Sequence, residues 1–178
     1  MKTIKLIILS MLLSVAIFSV ESTLSSFTLS APRNKKIELK QYSGKPLLII
    51  NIATRCGYTG QLDDIEKLYK KYQKQGLTII GIPSNDFGGQ TPESNQEVVE
   101  MCRVKYGASF PISTKAIVLG KEKIPLIDYI VKSSGGEEIK WNFEKFLFDK
   151  DGKFVARFNS KTLPLESELE NAIKKALH

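Results

Sequence analysis

Leu47-Leu48-Ile49-Ile50-Asn51-Ile52-Ala53-Thr54-Arg55-Cys56-Gly57-Tyr58-Thr59 is the stretch on which the fold turns. Leu47 to Ile52 is a near-continuous apolar run, the pattern of a strand buried on both faces. A Gly-containing turn follows. Beyond it, Leu62, Ile65, Leu68, Tyr69 and Tyr72 keep helical spacing, which predicts a helix from Gln61 to Lys74 that stops at Gly76. Leu77 to Ile82 is a second apolar strand. A strand, a helix and a strand within about 40 residues predict a right-handed βαβ unit with parallel strands. Cys56 then lies where the first strand empties toward a helix N-terminus, whose unpaired N–H groups and dipole favour a thiolate. The thiolate is the reactive form, so the stretch points to redox or nucleophilic chemistry; the competing reading is an inert core cysteine.

Working outward, Phe27-Thr28-Leu29 and Ile37-Glu38-Leu39 alternate around Pro32-Arg33-Asn34 and predict a small hairpin. Pro83 to Pro92 reads as a loop, followed by a helix from Pro92 to Tyr106 with Pro92 in its first turn. Val98, Cys102 and Tyr106 recur every four residues, so Cys102 falls on the apolar face of that helix. Ala116 to Leu119 reads as a strand and Pro125 to Lys132 as a short helix. Phe146 to Phe148 and Phe154 to Phe158 flank the turn Asp149-Lys150-Asp151-Gly152. Leu165, Leu169, Ile173 and Leu177 mark a closing helix. The predicted class is α/β: a thioredoxin-like fold with a mixed central sheet flanked by helices and an N-terminal β-hairpin. In such sheets the reactive site lies at the carboxyl ends of the strands, where Cys56 falls.

Composition bounds the function. The chain has 178 residues, 42% of them hydrophobic, enough for one globular domain with a sizeable core. Lys2 and Lys5 precede an uncharged run from Leu6 to Val20, and a small residue follows at Ser22. This reads as a secretory signal peptide over residues 1–22, with an uncleaved anchor as the alternative, and the folded domain over 23–178. The expected destination is an exported compartment: periplasm, secretory lumen or medium. Removing Lys2, Lys5 and Glu21 takes the net charge from +7 to +6. The excess is spread over short lysine pairs without an aromatic-interleaved stripe, so no nucleic-acid partner is expected.

The single histidine is His178, at the chain end, so imidazole-based hydrolase and metal sites are not expected. Two cysteines in an oxidising compartment, Cys56 and Cys102, raise a disulfide, either permanent or cyclic.

Four segments resemble the glutathione peroxidase family in its cysteine-containing form. They are Tyr42 to Asn51, the Cys56 loop, Asn85-Asp86-Phe87-Gly88-Gly89-Gln90 and Trp141-Asn142-Phe143-Glu144-Lys145-Phe146-Leu147. The resemblance covers essentially the whole chain after the leader, and it implies a catalytic tetrad of Cys56, Gln90, Trp141 and Asn142. The amide and indole N–H groups do not titrate and can hold a thiolate by hydrogen bonding. A thiolate attacking a hydroperoxide yields a sulfenic acid. In thioredoxin-dependent members the segment around Cys102 carries the resolving cysteine, so the resemblance implies an intramolecular disulfide reduced by a thioredoxin-like protein. A buried Cys102 would require its helix to unwind, because bridged Cα atoms lie within about 7 Å.

Departures from the family pattern matter too. Ser84 removes a possible further thiol, and Asp86 is expected to point outward. The short stretch between Lys115 and Trp141 implies a monomer. No cofactor, metal or dedicated glutathione site is expected. Competing readings are a thioredoxin-type thiol–disulfide oxidoreductase, whose second cysteine is replaced by Thr59, and a peroxiredoxin, whose usual threonine position is Ala53. A peroxide-sensing disulfide relay and a structural protein with a permanent bond are the remaining alternatives.

Overall fold

The computed structural model describes residues 23–178; the leader read over residues 1–22 lies outside the described residues. Strand β3, Leu47–Ile52, is the centre of a four-stranded sheet. β4, Thr78–Pro83, pairs with it in parallel, while β5, Lys145–Phe148, pairs antiparallel on its other side. β6, Phe154–Phe158, extends the sheet antiparallel to β5, giving the order β4-β3-β5-β6. The predicted N-terminal hairpin is a separate two-stranded sheet of β1, Thr28–Ala31, and β2, Lys35–Glu38.

β3 shows no polar alternation because both of its faces are covered. Leu48, Ile50 and Ile52 point into one core with Leu62, Ile65 and Leu68 of α1, Gln61–Tyr72, and with Leu169 and Ile173 of α4, Glu168–Ala176. Leu47 and Ile49 point into a second core with the hairpin and with α3, Pro125–Ser133. Each fully buried Leu or Ile contributes roughly 1.5–3 kcal/mol, so the central strand is the strongest anchor of the fold.

Helix α2, Asn95–Tyr106, begins three residues later than the Pro92 start expected from sequence. The reason is a capping box: Ser94 Oγ accepts from Glu97 N, and the Glu97 carboxylate accepts from Ser94 N. Gly107 ends the helix at positive φ, in the left-handed region where glycine is favoured. α4 likewise starts at Glu168 rather than Leu165, because Ser167 Oγ accepts from Leu169 N and Glu170 N.

The strand expected over Ala116 to Leu119 does not form. Asp86 Oδ2 accepts the amides of Val118 and Leu119, groups that a neighbouring strand would otherwise have to satisfy. Asp86 is exposed, as expected, and serves this loop. Among the described residues no helix is long and apolar enough to cross a membrane.

Candidate active site

Cys56 lies in the turns that join β3 to α1, five residues before the helix proper starts at Gln61. This corrects the expectation of a thiol at the helix terminus itself: the donor at the sulfur is local. Tyr58 N donates to Cys56 Sγ at 3.5 Å. The turn is built by Thr59, whose Oγ1 accepts from Cys56 N at 3.0 Å and donates to Ala53 O at 3.0 Å. Thr59 thus does structural work at the position where a thioredoxin-type second cysteine would stand. Cys56 is 9% exposed, against 1% for Cys102.

Gln90 reaches the same turn from the loop after β4. Its backbone carbonyl accepts from Thr54 N at 3.2 Å and Arg55 N at 2.9 Å, and Thr54 Oγ1 donates to it as well. Its side-chain Oε1 accepts from Asn142 Nδ2 at 3.0 Å. Asn142 is fully buried, and its Oδ1 has no hydrogen-bond partner among the described residues. Trp141, next in the chain, is 40% exposed, with its ring 5.6 Å from that of Phe87. The structure therefore joins Gln90 to Asn142 directly and places Gln90 beside the Cys56 turn through backbone bonds. Among the described residues, the hydrogen bond to Sγ comes from Tyr58 alone of these groups.

Asn51 organises this arrangement. It is a polar residue inside a buried strand, 1% exposed. Its Nδ2 donates to Trp141 O at 3.1 Å, and its Oδ1 accepts from Glu144 N at 2.9 Å. Its backbone O accepts from Phe143 N at 2.7 Å. The grip holds Phe143 in the left-handed region, at positive φ. That conformation costs a bulky residue roughly 1–3 kcal/mol. No role for Asn51 is legible in the motif Tyr42 to Asn51; its one sequence signal is an Asn in an otherwise apolar strand. Glu144 adds a second support: its carboxylate accepts from Lys140 N and Trp141 N and pairs with Arg157. Tyr58 and Trp141 open onto a groove of about 650 Å³ that Lys140, Arg157, Asn159, Ser160 and Lys161 also line.

Two further residues escaped the sequence. Glu93 accepts from Thr54 Oγ1 and from Arg55 Nε at 2.7 Å. Burial pushes its carboxyl up, but these hydrogen bonds and the Arg55 charge outweigh that and hold it below the ordinary glutamate value. Lys145 is fully buried with Nζ donating to Gln61 Oε1 at 2.7 Å and Thr162 O at 2.7 Å. Burial pushes its ammonium down to about 8, opposed by the nearby Glu144 charge.

Cys102 stands apart from this cluster of polar groups. It is 1% exposed on the inner face of α2, packed in the same core as Cys56, and both thiols are free. Burial pushes its thiol up to about 11, with Arg103 opposing.

Residues 24–131 match the family described as Glutathione peroxidase, a span that holds Cys56, Gln90 and Cys102 and ends before Trp141. A glutathione peroxidase homolog, BsaA of Staphylococcus aureus, is 39% identical over 151 residues, covering 83% of this chain and 96% of the relative. The glutathione peroxidase-like peroxiredoxin HYR1 of Saccharomyces cerevisiae is 42% identical over 161 residues, covering 86% and 98%. The crystal structure of T. cruzi GPX1 superimposes with a TM-score of 0.67 at 34% identity, covering 88% of this chain and 95% of that one. The thioredoxin-type oxidoreductase alternative is not favoured by these relatives or by the turn-building role of Thr59. A fold with parallel β3 and β4, a cysteine turn at the end of β3 and relatives of this kind lead to one conclusion: the chain belongs to the glutathione peroxidase family and is a thiol peroxidase.

Proposed function

We propose that Cys56 is the peroxidatic cysteine and Cys102 the resolving one, with Gln90, Trp141 and Asn142 supporting the reacting sulfur. The observation that carries this reading is the Cys56 turn itself: a thiol with an aimed backbone donor, tied to Gln90, which is hydrogen-bonded to Asn142. In the first step the Cys56 thiolate attacks one peroxide oxygen. An S–O bond forms, the O–O bond breaks, and the departing alkoxide takes a proton to leave as alcohol or water. Sulfur loses two electrons and the peroxide gains two. In the second step the Cys102 thiolate attacks the Cys56 sulfur; S–S forms, S–O breaks, and hydroxide leaves as water after protonation. A thioredoxin-like dithiol then returns two electrons by exchange, and no bound cofactor is needed.

The substrates of this cycle are hydrogen peroxide and organic or lipid hydroperoxides. The basic start and apolar run of residues 1–22 support an exported protein, and the short stretch from Lys115 to Trp141 supports a monomer. Burial of Cys102 supports a cycle in which α2 opens before the disulfide forms, since a thiol held near 11 is not ionised at neutral pH.

The test is NADPH-coupled consumption of cumene hydroperoxide with a thioredoxin system and, separately, a glutathione system. Turnover with thioredoxin, lost in Cys56→Ser and Cys102→Ser, is the expected outcome. Sustained turnover by Cys102→Ser with glutathione would show that Cys102 is a core residue and that the recycling step is wrong.

A further inference from the structure

Glu93 lies in the run from Gln90 to Ser94, between the loop that faces Cys56 and the N-cap of α2. One carboxylate oxygen accepts from Thr54 Oγ1, and the other accepts from Arg55 Nε. Thr54 and Arg55 immediately precede Cys56. The Glu93 side chain is 21% exposed, whereas that of Arg55 is 65% exposed. The Thr54 bond, between two partly buried groups, therefore holds more firmly than the surface ion pair, which solvent screens. Lys115 Nζ donates to Glu93 O and to Thr91 O, and Asn95 Oδ1 accepts from Lys115 N. The start of α2 is thus pinned from two sides, and on the side facing Cys56 the Glu93 carboxylate is the pin next to the N-cap, with the Gln90 carbonyl holding the run three residues earlier.

We infer that Glu93 is a positioning residue that fastens the Cys56 loop to the start of α2 and links the opening of one to the opening of the other. The consequence for the reaction rests on the Cys56–Cys102 reading above. With the fastening intact, α2 stays closed and the Cys56 turn stays rigid for attack on peroxide. Breaking it loosens both at once. Attack by Cys56 slows because its turn is less ordered, and disulfide formation quickens because Cys102 is released more often. Loosening α2 alone has a different signature. Ser94 caps the helix and, among the described residues, makes no hydrogen bond to the Cys56 turn, so Ser94→Ala quickens disulfide formation and leaves attack unchanged.

The experiment uses the full chain, Glu93→Gln, Glu93→Ala and Ser94→Ala, with three readouts. Peroxide attack and disulfide formation are followed by stopped flow on the fluorescence of Trp141, the only tryptophan, calibrated against acid-quenched thiol counts. Hydrogen exchange follows the α2 amides in the reduced protein. For both Glu93 variants the expected result is about tenfold faster α2 exchange, several-fold faster disulfide formation and several-fold slower attack, with β3 and β4 exchange unchanged. Ser94→Ala should show only the first two. Glu93 variants with wild-type α2 exchange overturn the inference, whatever their activity. If the wild type forms no Cys56–Cys102 disulfide, the resolving role of Cys102 falls, and α2 exchange still decides the role of Glu93.

Discussion

Asn142 donates its side-chain amide to Gln90 Oε1 at 3.0 Å, across 52 residues of chain. The bond turns the Gln90 oxygen toward Asn142 and leaves the Gln90 amide N–H groups as donors for other partners. The pair is a fixed polar unit beside the Cys56 turn, held on one side by the Gln90 carbonyl and on the other by Asn51.

Asn142→Asp removes the donor and adds a negative charge in a buried site. The added charge disfavours a neighbouring thiolate, whereas the lost donor releases Gln90 Oε1 and disorders the polar unit. Loss of one preorganised donor typically costs about 10²-fold in rate. Attack on hydrogen peroxide at neutral pH should fall by about that factor, and the rate should recover as pH is raised. Asn142→Ala should lose rate without that alkaline recovery. The check is the pH dependence of the second-order rate with peroxide; superimposable profiles for the two variants would contradict it.

Helix α2 buries only Val98 and Cys102 completely, against five residues for α1. Weakly anchored elements open locally at less than the global cost. Disulfide formation should therefore be first-order, independent of peroxide concentration, and faster in mild urea. Once the disulfide has formed, α2 amides should exchange faster than in the reduced chain. Equal protection in both redox states would rule out opening of α2.

Glu170 ties α4 to α1. Its carboxylate accepts from Lys71 Nζ and Tyr72 OH at 2.7 Å, and from Glu166 N. The Lys71 hydrogen bond leads in holding it down to about 2, against burial. A depressed carboxyl stabilises the fold above its unfolded value of about 4.3, and that contribution is lost as pH falls toward 2. Glu170→Gln should lower stability by about 2 kcal/mol at pH 7, with the difference from wild type closing below pH 3. Urea unfolding at the two pH values measures it.

Lys145 behaves in the opposite sense. Its ammonium is depressed to about 8, while in the unfolded chain it titrates near 10.4. Between those values the unfolded state holds a proton that the native state lacks, so stability rises with pH across the window. Below 8 both states are protonated and the fold bears the full burial cost. Lys145→Met should remove this alkaline rise. It also strips Gln61 Oε1 and the Thr162 carbonyl of their donor. These acceptors are only partly buried, so leaving them without a donor costs at most roughly 1–3 kcal/mol, and the relieved burial of the ammonium offsets part of that at neutral pH. Denaturant midpoints from pH 7 to 10 for both proteins give the comparison; parallel curves would refute it.

Much of the fold was legible because its signals are local. The apolar run Leu47–Ile52, the spacing of α1 and the Asp149–Gly152 turn each lie within a few residues, and each matches the element that forms. Departures fall at element ends and at one whole strand. Pro92 looked like a helix start, yet the Ser94–Glu97 box set it later. Ala116–Leu119 had strand composition, but Asp86, from a distant loop of the chain, took two of its amides. Cys56, Gln90, Trp141, Asn142 and Cys102 were named from family motifs, while their mutual geometry was not readable.

By itself the sequence determined the thioredoxin-like order of elements, the placement of Cys56 at the end of a buried strand, and the absence of an imidazole before the last residue. Periodicity and turn chemistry act over short stretches, so they survive in one dimension. Tertiary structure alone decided that Asn51 grips the Trp141–Glu144 turn, that Glu93 joins the Cys56 loop to α2, and that Lys145 is buried with no carboxylate hydrogen-bonded to it among the described residues. These contacts join residues 39 to 93 positions apart, and no local pattern names the partner. They form because a buried polar group must find a partner wherever the packed chain brings one within reach.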